Sequence, residues 1–172
     1  MANFTFLDPN GSNLIANAIP YNWNSVTKLN VTRNSAPWIY SNYPEGIAEN
    51  SALTENGYYI NQQRLKGEAE IFFSHRNDTY KELRFRIHIF NCSASAVTVK
   101  RTNIGFTSGW GKADVAVRQY FSGDNKTFTL ASGASNWLTD EYKIAARTTG
   151  SPLGLPFSGM VRLEASNDII VT

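Results

Sequence analysis

Apolar and polar side chains alternate more regularly between Leu83 and Asn91 than anywhere else in the chain. The apolar positions are Leu83, Phe85, Ile87 and Ile89, and the intervening positions are Arg84, Arg86 and His88. A period of two puts the two sets on opposite faces of a β-strand, whereas a helix would mix them. The segment therefore predicts a half-buried strand, Glu82–Phe90, whose basic side chains share a solvated face.

Further short segments rich in β-forming residues recur along the chain, separated by turns that carry Gly, Pro, Asn and Ser. The other predicted strands are Asn3–Leu7, Thr27–Thr32, Trp38–Ser41, Tyr58–Asn61, Glu68–Phe73, Ala96–Arg101, Lys126–Leu130, Tyr142–Ala146, Met160–Glu164 and Asp168–Thr172. Many short strands between such turns favour an all-β fold, an antiparallel β-sandwich or jelly roll. No repeat or linker composition divides the chain, so we expect one domain over residues 1–172.

One segment has a helical period instead. Its apolar residues are Ala113, Ala116, Val117, Tyr120 and Phe121. This i, i+3, i+4, i+7 spacing predicts a short helix over Lys112–Phe121 that ends at Gly123 and lies across an open end of the sandwich. The preceding glycine-rich stretch, Gly105–Lys112, is expected to turn the chain into this helix, with anion binding by its backbone N–H groups as the alternative.

The turn formers Asn77 and Asp78 predict a local hairpin between Glu68–Phe73 and the alternating strand. Because facing residues of a hairpin share a side of the sheet, one of Glu68 and Glu70 would lie opposite Arg86 or His88. The basic face then has a structural explanation as cross-strand ion pairs.

The charge balance argues against two classes of partner. The chain has 16 basic and 14 acidic residues, a formal charge of +2, and no basic run that would suit nucleic acid. No apolar run approaches the roughly 20 residues of a membrane span, so membrane insertion is not expected. The first residues lack the basic and apolar regions of a signal peptide, which leaves a cytoplasmic location open beside an extracellular one.

Cys92 is the only cysteine and follows the alternating strand directly. It cannot form a disulfide within the chain. A buried, inert thiol is the commoner state of such a residue. The alternatives are a disulfide between two copies of the chain and a reactive thiol.

Candidate chemistry is sparse, and we predict neither catalytic residues nor a cofactor. The two histidines, His75 and His88, have no neighbouring nucleophile in sequence, and His75 has the parity of an inward-facing strand residue. Zinc-ligand spacings are missing, and the oxygen-rich pairs such as Asp140-Glu141 resemble ordinary turns more than calcium loops. The sequence therefore predicts no metal site.

Asn-x-Ser/Thr sequons are frequent, as expected by chance in a chain rich in Asn and Thr. They begin at Asn3, Asn10, Asn30, Asn77, Asn91 and Asn125. Glycosylation would require a glycosylating secretory pathway, and we do not expect it.

Aromatic residues are the feature most open to a binding role. They are Trp23, Trp38, Trp110, Trp137, Tyr21, Tyr40, Tyr43, Tyr58 and Tyr59, mostly at predicted strand ends or loops. Exposed rings beside amide side chains suit the apolar faces and hydroxyls of sugars. Trp and Tyr also fill the ends of sandwich cores and the centres of protein interfaces, so both of these roles stay open.

A series of residues between Ser41 and Phe121 occurs in a recognisable order: Tyr43-Pro44-Glu45, Gly57, Gly67, Phe72-Phe73, His75, Asn77, Leu83, Asn91, Val97-Thr98-Val99, Gly105, and Lys112 through Tyr120-Phe121. This order resembles a poorly characterised β-rich module of cell-surface proteins in spore-forming bacteria. The matching positions cover about half of the chain and include no catalytic motif. The resemblance implies a non-catalytic module at a cell or spore surface.

Two functional hypotheses follow. The first is a non-enzymatic structural protein that forms homo-oligomers, in part by adding a terminal strand to a neighbour's sheet. Its candidate assembly residues are Asn3, Phe4, Phe6, Cys92, Ile169 and Val171. The second is a carbohydrate-binding module or lectin with a glycan as its ligand, for which the candidate residues are Trp110, Tyr40, Tyr43 and Trp38.

Overall fold

The computed structural model describes residues 36–54 and 59–172, and these form a β-rich, sandwich-like fold with one α-helix. The strands are β1 (Trp38–Ser41), β2 (Gly46–Ile47), β3 (Gln63–Asn77), β4 (Leu83–Phe85), β5 (His88–Asn91), β6 (Val97–Ser108), β7 (Lys126–Leu130), β8 (Ser135–Trp137), β9 (Tyr142–Ile144) and β10 (Leu155–Val171), with a 3₁₀ turn at Ala52–Thr54 and helix α1 at Ala113–Ser122. The predicted fold class and the predicted helix are confirmed. The predicted strands Asn3–Leu7 and Thr27–Thr32 lie outside the described residues, and residues 59–61 are not a strand.

The main sheet is organised around β10. One edge of β10 pairs antiparallel with nearly all of β3, from Leu155 opposite Asn77 to Val171 opposite Gln63. Its other edge pairs with β6 and then with β5. The two predicted C-terminal strands are thus one strand, bent by an irregularity between Ala165 and Ile169.

Two further features complete the sandwich. The short strands β1 and β2 pair with β3 in parallel, at the outer side of the main sheet. Strands β4 and β9 form a separate two-stranded sheet. The two sheets meet through aromatic side chains, since Phe73 lies 4.5 Å from Phe85 and Phe106 stacks on Tyr142 at 3.7 Å between ring centroids. These contacts place the core between the sheets, where the buried apolar residues cluster.

The predicted hairpin between Glu68–Phe73 and the alternating strand is wrong. The alternating strand breaks at Arg86 and Ile87, so that β4 pairs with β9 while β5 pairs with β10 and β8. Neither half pairs with β3, whose antiparallel partner is β10. The expected cross-strand ion pairs are therefore absent among the described residues, and Glu68 instead pairs with Arg162 at 2.9 Å.

Helix α1 lies on the outer face of the main sheet. The prediction that it lies across an open end of the sandwich is wrong. Thr102 is an extra residue in β6 opposite β10, and it shifts the alternation so that Asn103 and Gly105 face outward under the helix. A Cβ on Gly105 would overlap the carbonyl oxygen of Ala116, so only glycine allows this close approach. Gly105 is thus part of β6, and the turn into the helix starts at Gly109.

Tyr120 fixes the helix to the sheet. Its side chain is buried, and its hydroxyl donates a hydrogen bond to Glu70 Oε1 at 2.6 Å. Burial, and then the contact with Glu70, raise the pKa of Tyr120 to about 12. In contrast, Val117 and Phe121 on the same helix are exposed, so only part of the predicted apolar stripe is covered.

Two buried asparagines close the ends of strands in the same way. Asn77 ends β3, and its Nδ2 lies within hydrogen-bond distance of the carbonyls of Lys81, Ile144 and Ala145, while its Oδ1 accepts from Thr79. Asn91 ends β5, and its side-chain amide makes the same kinds of contact at that strand end. Its partners are the carbonyls of Ser95, Leu130 and Ala131, and the N–H and hydroxyl of Ser93. We call these two units the Asn corners; each ties a strand end to a neighbouring strand.

The described residues, 36–54 and 59–172, belong to one compact unit. The part of this unit that the structure describes contains the entire core cluster, from Ile47 to Val171. No helix in the described ranges combines the length and apolarity that a membrane span requires.

Candidate functional site

A row of polar and aromatic side chains crosses four neighbouring segments at the end of the main sheet. Trp137 of β8 lies opposite His88 of β5, and His88 exchanges two backbone hydrogen bonds with Thr172, at 2.9 and 3.0 Å. Gln62 Nε2 in turn donates to the hydroxyl of Thr172 at 3.4 Å. Because these residues sit at equivalent positions on neighbouring strands, their side chains lie on one face.

Arg84, Arg86 and Glu141 form an ion-pair cluster next to this row. The guanidinium carbon of Arg86 lies 4.8 Å from the centre of the Trp137 ring, a cation–π arrangement. Arg86 also donates to Glu141 Oε2 at 2.6 Å, and Arg84 approaches the other oxygen of Glu141 at 3.5 Å. His88 packs edge-on against Trp137 at 5.1 Å. Trp137 is therefore held on two sides, and 47% of its surface remains exposed.

The cluster separates two depressions that share Arg86, Trp137 and Glu141. One, of about 670 Å³, has an apolar floor that includes Leu83 and Phe85, with Gln62, His88 and Thr172 along its wall. The other, of about 570 Å³, is lined by polar residues, among them Lys126, Thr127, Thr129, Asn136 and Asp140. We call this pair of depressions the Trp137 cleft.

The cleft carries a small excess of positive charge. Its basic side chains are Arg84, Arg86 and Lys126, against Asp140 and Glu141. Burial lowers the pKa of His88, so this imidazole is neutral near pH 7 and offers one donor and one acceptor. Within the described part of the chain, Nε of Arg86 is buried without a hydrogen-bond partner.

The four aromatic residues predicted to bind a glycan do not form one site, although two of them lie together on β1. Trp38 and Tyr40 project from β1 onto the outer face of the sheet, where Tyr40 stacks on Phe72 at 5.4 Å and Trp38 meets Phe72 edge-on at 6.4 Å. We call Trp38, Tyr40 and Phe72 the aromatic strip. Tyr43 follows β1 and is 88% exposed, and Trp110 lies exposed in the turn between β6 and α1.

The residues predicted to take part in assembly are not brought together either. Asn3, Phe4 and Phe6 lie outside the described residues. Ile169 and Val171 are buried, and β10 pairs on both sides at these positions, so the expected free C-terminal strand is wrong. Cys92 is partly exposed and unpaired, not buried, because it lies in the turn of the second Asn corner.

His75 is 1% exposed and is held by two contacts, as its inward parity predicted. Its Nδ1 lies 2.8 Å from the carbonyl of Pro44, which can only accept, so this nitrogen carries the proton. The bare Nε2 then accepts from the hydroxyl of Ser41 at 3.0 Å. Burial lowers the pKa of His75, which keeps the ring neutral. The pair fastens β1 and the segment after it to the end of β3.

The oxygen-rich pairs of the sequence are engaged in ion pairs or hydrogen bonds. Asp78 pairs with Arg76 at 2.7 Å, Asp124 with Arg101, and Glu141 with the cleft arginines. In residues 36–54 and 59–172, three His, Cys, Asp or Glu side chains do not come together as a metal site would require.

The sequence pattern singles out Arg84, Arg86, His88 and Trp137 but does not join them into one site. The alternation indicated that the first three share a face, but β8 was not predicted, so nothing placed Trp137 beside them. Comparison with family models, with curated proteins and with solved structures found no match for the chain. Function is therefore inferred from the geometry of its own residues.

Proposed function

We propose that this protein is a non-enzymatic structural module that forms homo-oligomers through the outer edge of β1 and the aromatic strip. The observation that carries the proposal is an edge strand that has no strand partner on its outer side among the described residues, where the Asn61 side chain contacts one carbonyl. β1 lies outermost beside β3, and within the described residues no strand pairs with its other edge. Its sequence, Trp-Ile-Tyr-Ser, contains no charge and no proline, the usual devices that prevent edge-to-edge pairing.

The backbone groups of β1 favour this contact. Alternate residues of a strand direct their N–H and C=O groups to opposite edges. The carbonyl of Pro37 accepts from Glu70 on β3, so the groups of Trp38 and Tyr40 point outward. Asn61 Nδ2 approaches the carbonyl of Tyr40 at 3.4 Å, which agrees with that direction.

The side chains of the same two residues supply apolar area. Trp38 and Tyr40 are 65% and 56% exposed, and large aromatic side chains are enriched at the centres of protein interfaces. Two copies related by a twofold axis would pair β1 with β1 and bring the two aromatic strips side by side, a self-complementary contact. The resemblance to a surface module supports an extracellular place, on a cell or spore, for this assembly.

The test is the native mass of the full chain by size exclusion with light scattering. We expect a dimer or larger, at least twice the 19.2 kDa of the chain, which persists under reducing conditions and in Cys92→Ser. The double variant Trp38→Lys/Tyr40→Lys should be a monomer, because two charges then face each other across the edge. Tyr43→Lys is the matched control, since Tyr43 is aromatic and exposed but not on β1.

Near-ultraviolet circular dichroism of each variant shows whether its fold is kept. A wild-type protein that is monomeric at every concentration tested would contradict the proposal. An oligomer that survives in the folded double-lysine variant would also contradict it.

A further inference from the structure

We propose that the Trp137 cleft binds an acidic saccharide, with the sugar ring on Trp137 and its carboxylate beside Arg84 and Arg86. The site shares no residue with β1 or the aromatic strip, so it is separate from the proposed assembly contact. It also differs from the four aromatic residues that sequence analysis offered for a glycan.

Trp137 provides the platform. A pyranose ring presents C–H groups on one face, and it packs on an indole whose orientation is already fixed. Arg86 and His88 hold the Trp137 ring from two directions, which lowers the entropy lost when a ligand binds. Exposed tryptophans elsewhere in the described structure, such as Trp110, do not lie in either depression of the cleft.

The row beside Trp137 matches the hydroxyl groups of a sugar. His88, Thr172 and Gln62 each offer both donors and acceptors, and they follow one another across neighbouring strands. A saccharide ring carries hydroxyls of the same mixed character around its rim. The neutral state of His88 keeps an acceptor available that a protonated ring would lack.

Two observations favour a negatively charged ligand. The arginines Arg84 and Arg86 share a single carboxylate, Glu141, so one positive charge in this cluster has no partner. In addition, the side chains of Arg84 and Arg86 are 62% and 35% exposed. A ligand carboxylate can therefore reach their outer N–H groups and form charge-assisted hydrogen bonds.

The size of the cleft fits a chain of sugars. The two depressions measure about 570 and 670 Å³ and share Trp137 in their lining, and each lies within the range of about 300–1,000 Å³ that is typical of ligand sites. A linear saccharide could place one residue on Trp137 and neighbouring residues in each depression. The polar depression, with Lys126 and Asn136, and the depression with the apolar floor would then act as adjoining subsites.

The experiment is isothermal titration calorimetry of the full chain with hexamers of galacturonate, alginate and hyaluronan. Cellohexaose and chitohexaose serve as neutral controls. We expect at least one acidic hexamer to bind, with an affinity that falls as salt is added because exposed charges are screened. Trp137→Ala should weaken this binding by at least about tenfold, as expected for a central aromatic contact, and Arg84→Gln should weaken it less.

Matched variants separate this proposal from loss of folding and from the assembly proposal. Trp110→Ala removes an exposed tryptophan outside the cleft and should leave the affinity unchanged. Trp38→Lys/Tyr40→Lys disturbs only β1 and should also bind normally, whatever its oligomeric state. The proposal is overturned if no acidic hexamer binds, if neutral hexamers bind equally well, or if folded Trp137→Ala binds as the wild type does.

Discussion

At the scale of single residues, the two Asn corners explain why two sequons fall at strand ends. Each corner uses the side-chain amide of asparagine for carbonyls left unpaired where a strand stops, and the Ser or Thr two residues later for its oxygen. The Asn-x-Ser/Thr spacing at Asn77 and Asn91 is thus required by local hydrogen bonding. Both amides are buried and engaged, so neither is open to a glycan in the folded protein.

Replacing either corner asparagine should destabilise the fold strongly. We expect Asn77→Ala and Asn91→Ala each to lower the free energy of unfolding by about 2–4 kcal/mol, because several buried groups lose their partners at once. Asn125→Ala is the control: it begins a sequon but is exposed, and should change stability by less than about 0.5 kcal/mol. Urea unfolding measures all three, and equal effects at Asn77 and Asn125 would contradict the structural role of the corner.

His75 makes stability depend on pH in a predictable direction. Its pKa is lowered by burial in the folded state, whereas the unfolded chain has a histidine pKa of about 6.5. As the pH falls through that value, the unfolded state takes up a proton that the folded state resists, so the free energy of unfolding decreases until the folded pKa is reached. Above pH ~7 both states are neutral at this residue and the effect disappears.

The free energy of unfolding, from urea titrations at about pH 7.5 and about pH 5.5, should therefore be lower at the acidic value. His75→Gln should remove most of that difference. His88→Gln should remove less of it, because His88 is only partly buried although its pKa is lowered in the same direction. The interpretation fails if the two variants change the pH dependence equally.

At the scale of elements, alternation predicted the faces of a strand better than its extent. Ile87 and Ile89 are buried, as the pattern requires, even though β4 ends before the first of them and β5 contains only the second. The chain passes from one sheet to the other at Arg86 and Ile87 without losing its period of two. A pattern of side chains cannot reveal such a break, because only the pairing partners of the backbone change.

The direction of backbone groups in β1 gives a second, independent test of edge pairing. Tyr40→Ala removes only the ring that stacks on Phe72, whereas Tyr40→Pro also removes an N–H that points outward. The proline variant should therefore lose the oligomer more completely than the alanine variant, at a similar cost to the monomer. Ile39→Pro removes an N–H that points toward β3, so it should lower the free energy of unfolding by about 3 kcal/mol or more. Light scattering and urea unfolding distinguish the two effects, and an intact oligomer in folded Tyr40→Pro would argue against pairing through β1.

At the scale of the whole molecule, the sequence indicated the fold class and the position of the helix but not the topology. The predicted hairpin relied on the short distance between Glu68–Phe73 and the next strand, yet the Asn77 corner turns the chain away from β3. β3 instead pairs with β10, about 80 residues further on. Pairing over that distance depends on packing between complementary faces, for which local propensity holds little information.

The same reasoning explains why the Trp137 cleft could not be predicted as a site. Its residues come from β4, β5, β7, β8, the segment before β9 and the residues flanking β3 and β10, and only the sheet topology brings them together. Residue type identified the candidates: two arginines and a histidine on one strand face, and a tryptophan at a strand end. The distances of about 5 Å from Arg86 and from His88 to the Trp137 ring follow from pairing that the sequence pattern does not contain.

The central place of β10 also has a consequence for the order of events during synthesis. Ribosomes add about 5–20 residues per second, so roughly 4–16 seconds separate the appearance of Asn77 from that of Leu155. Throughout that interval β3 has no antiparallel partner, and its apolar residues Ile71 and Phe73 are not yet covered. The main sheet can therefore form completely only after the end of β10 has left the exit tunnel. Until then the exposed apolar residues of β3 are available for chaperones to bind.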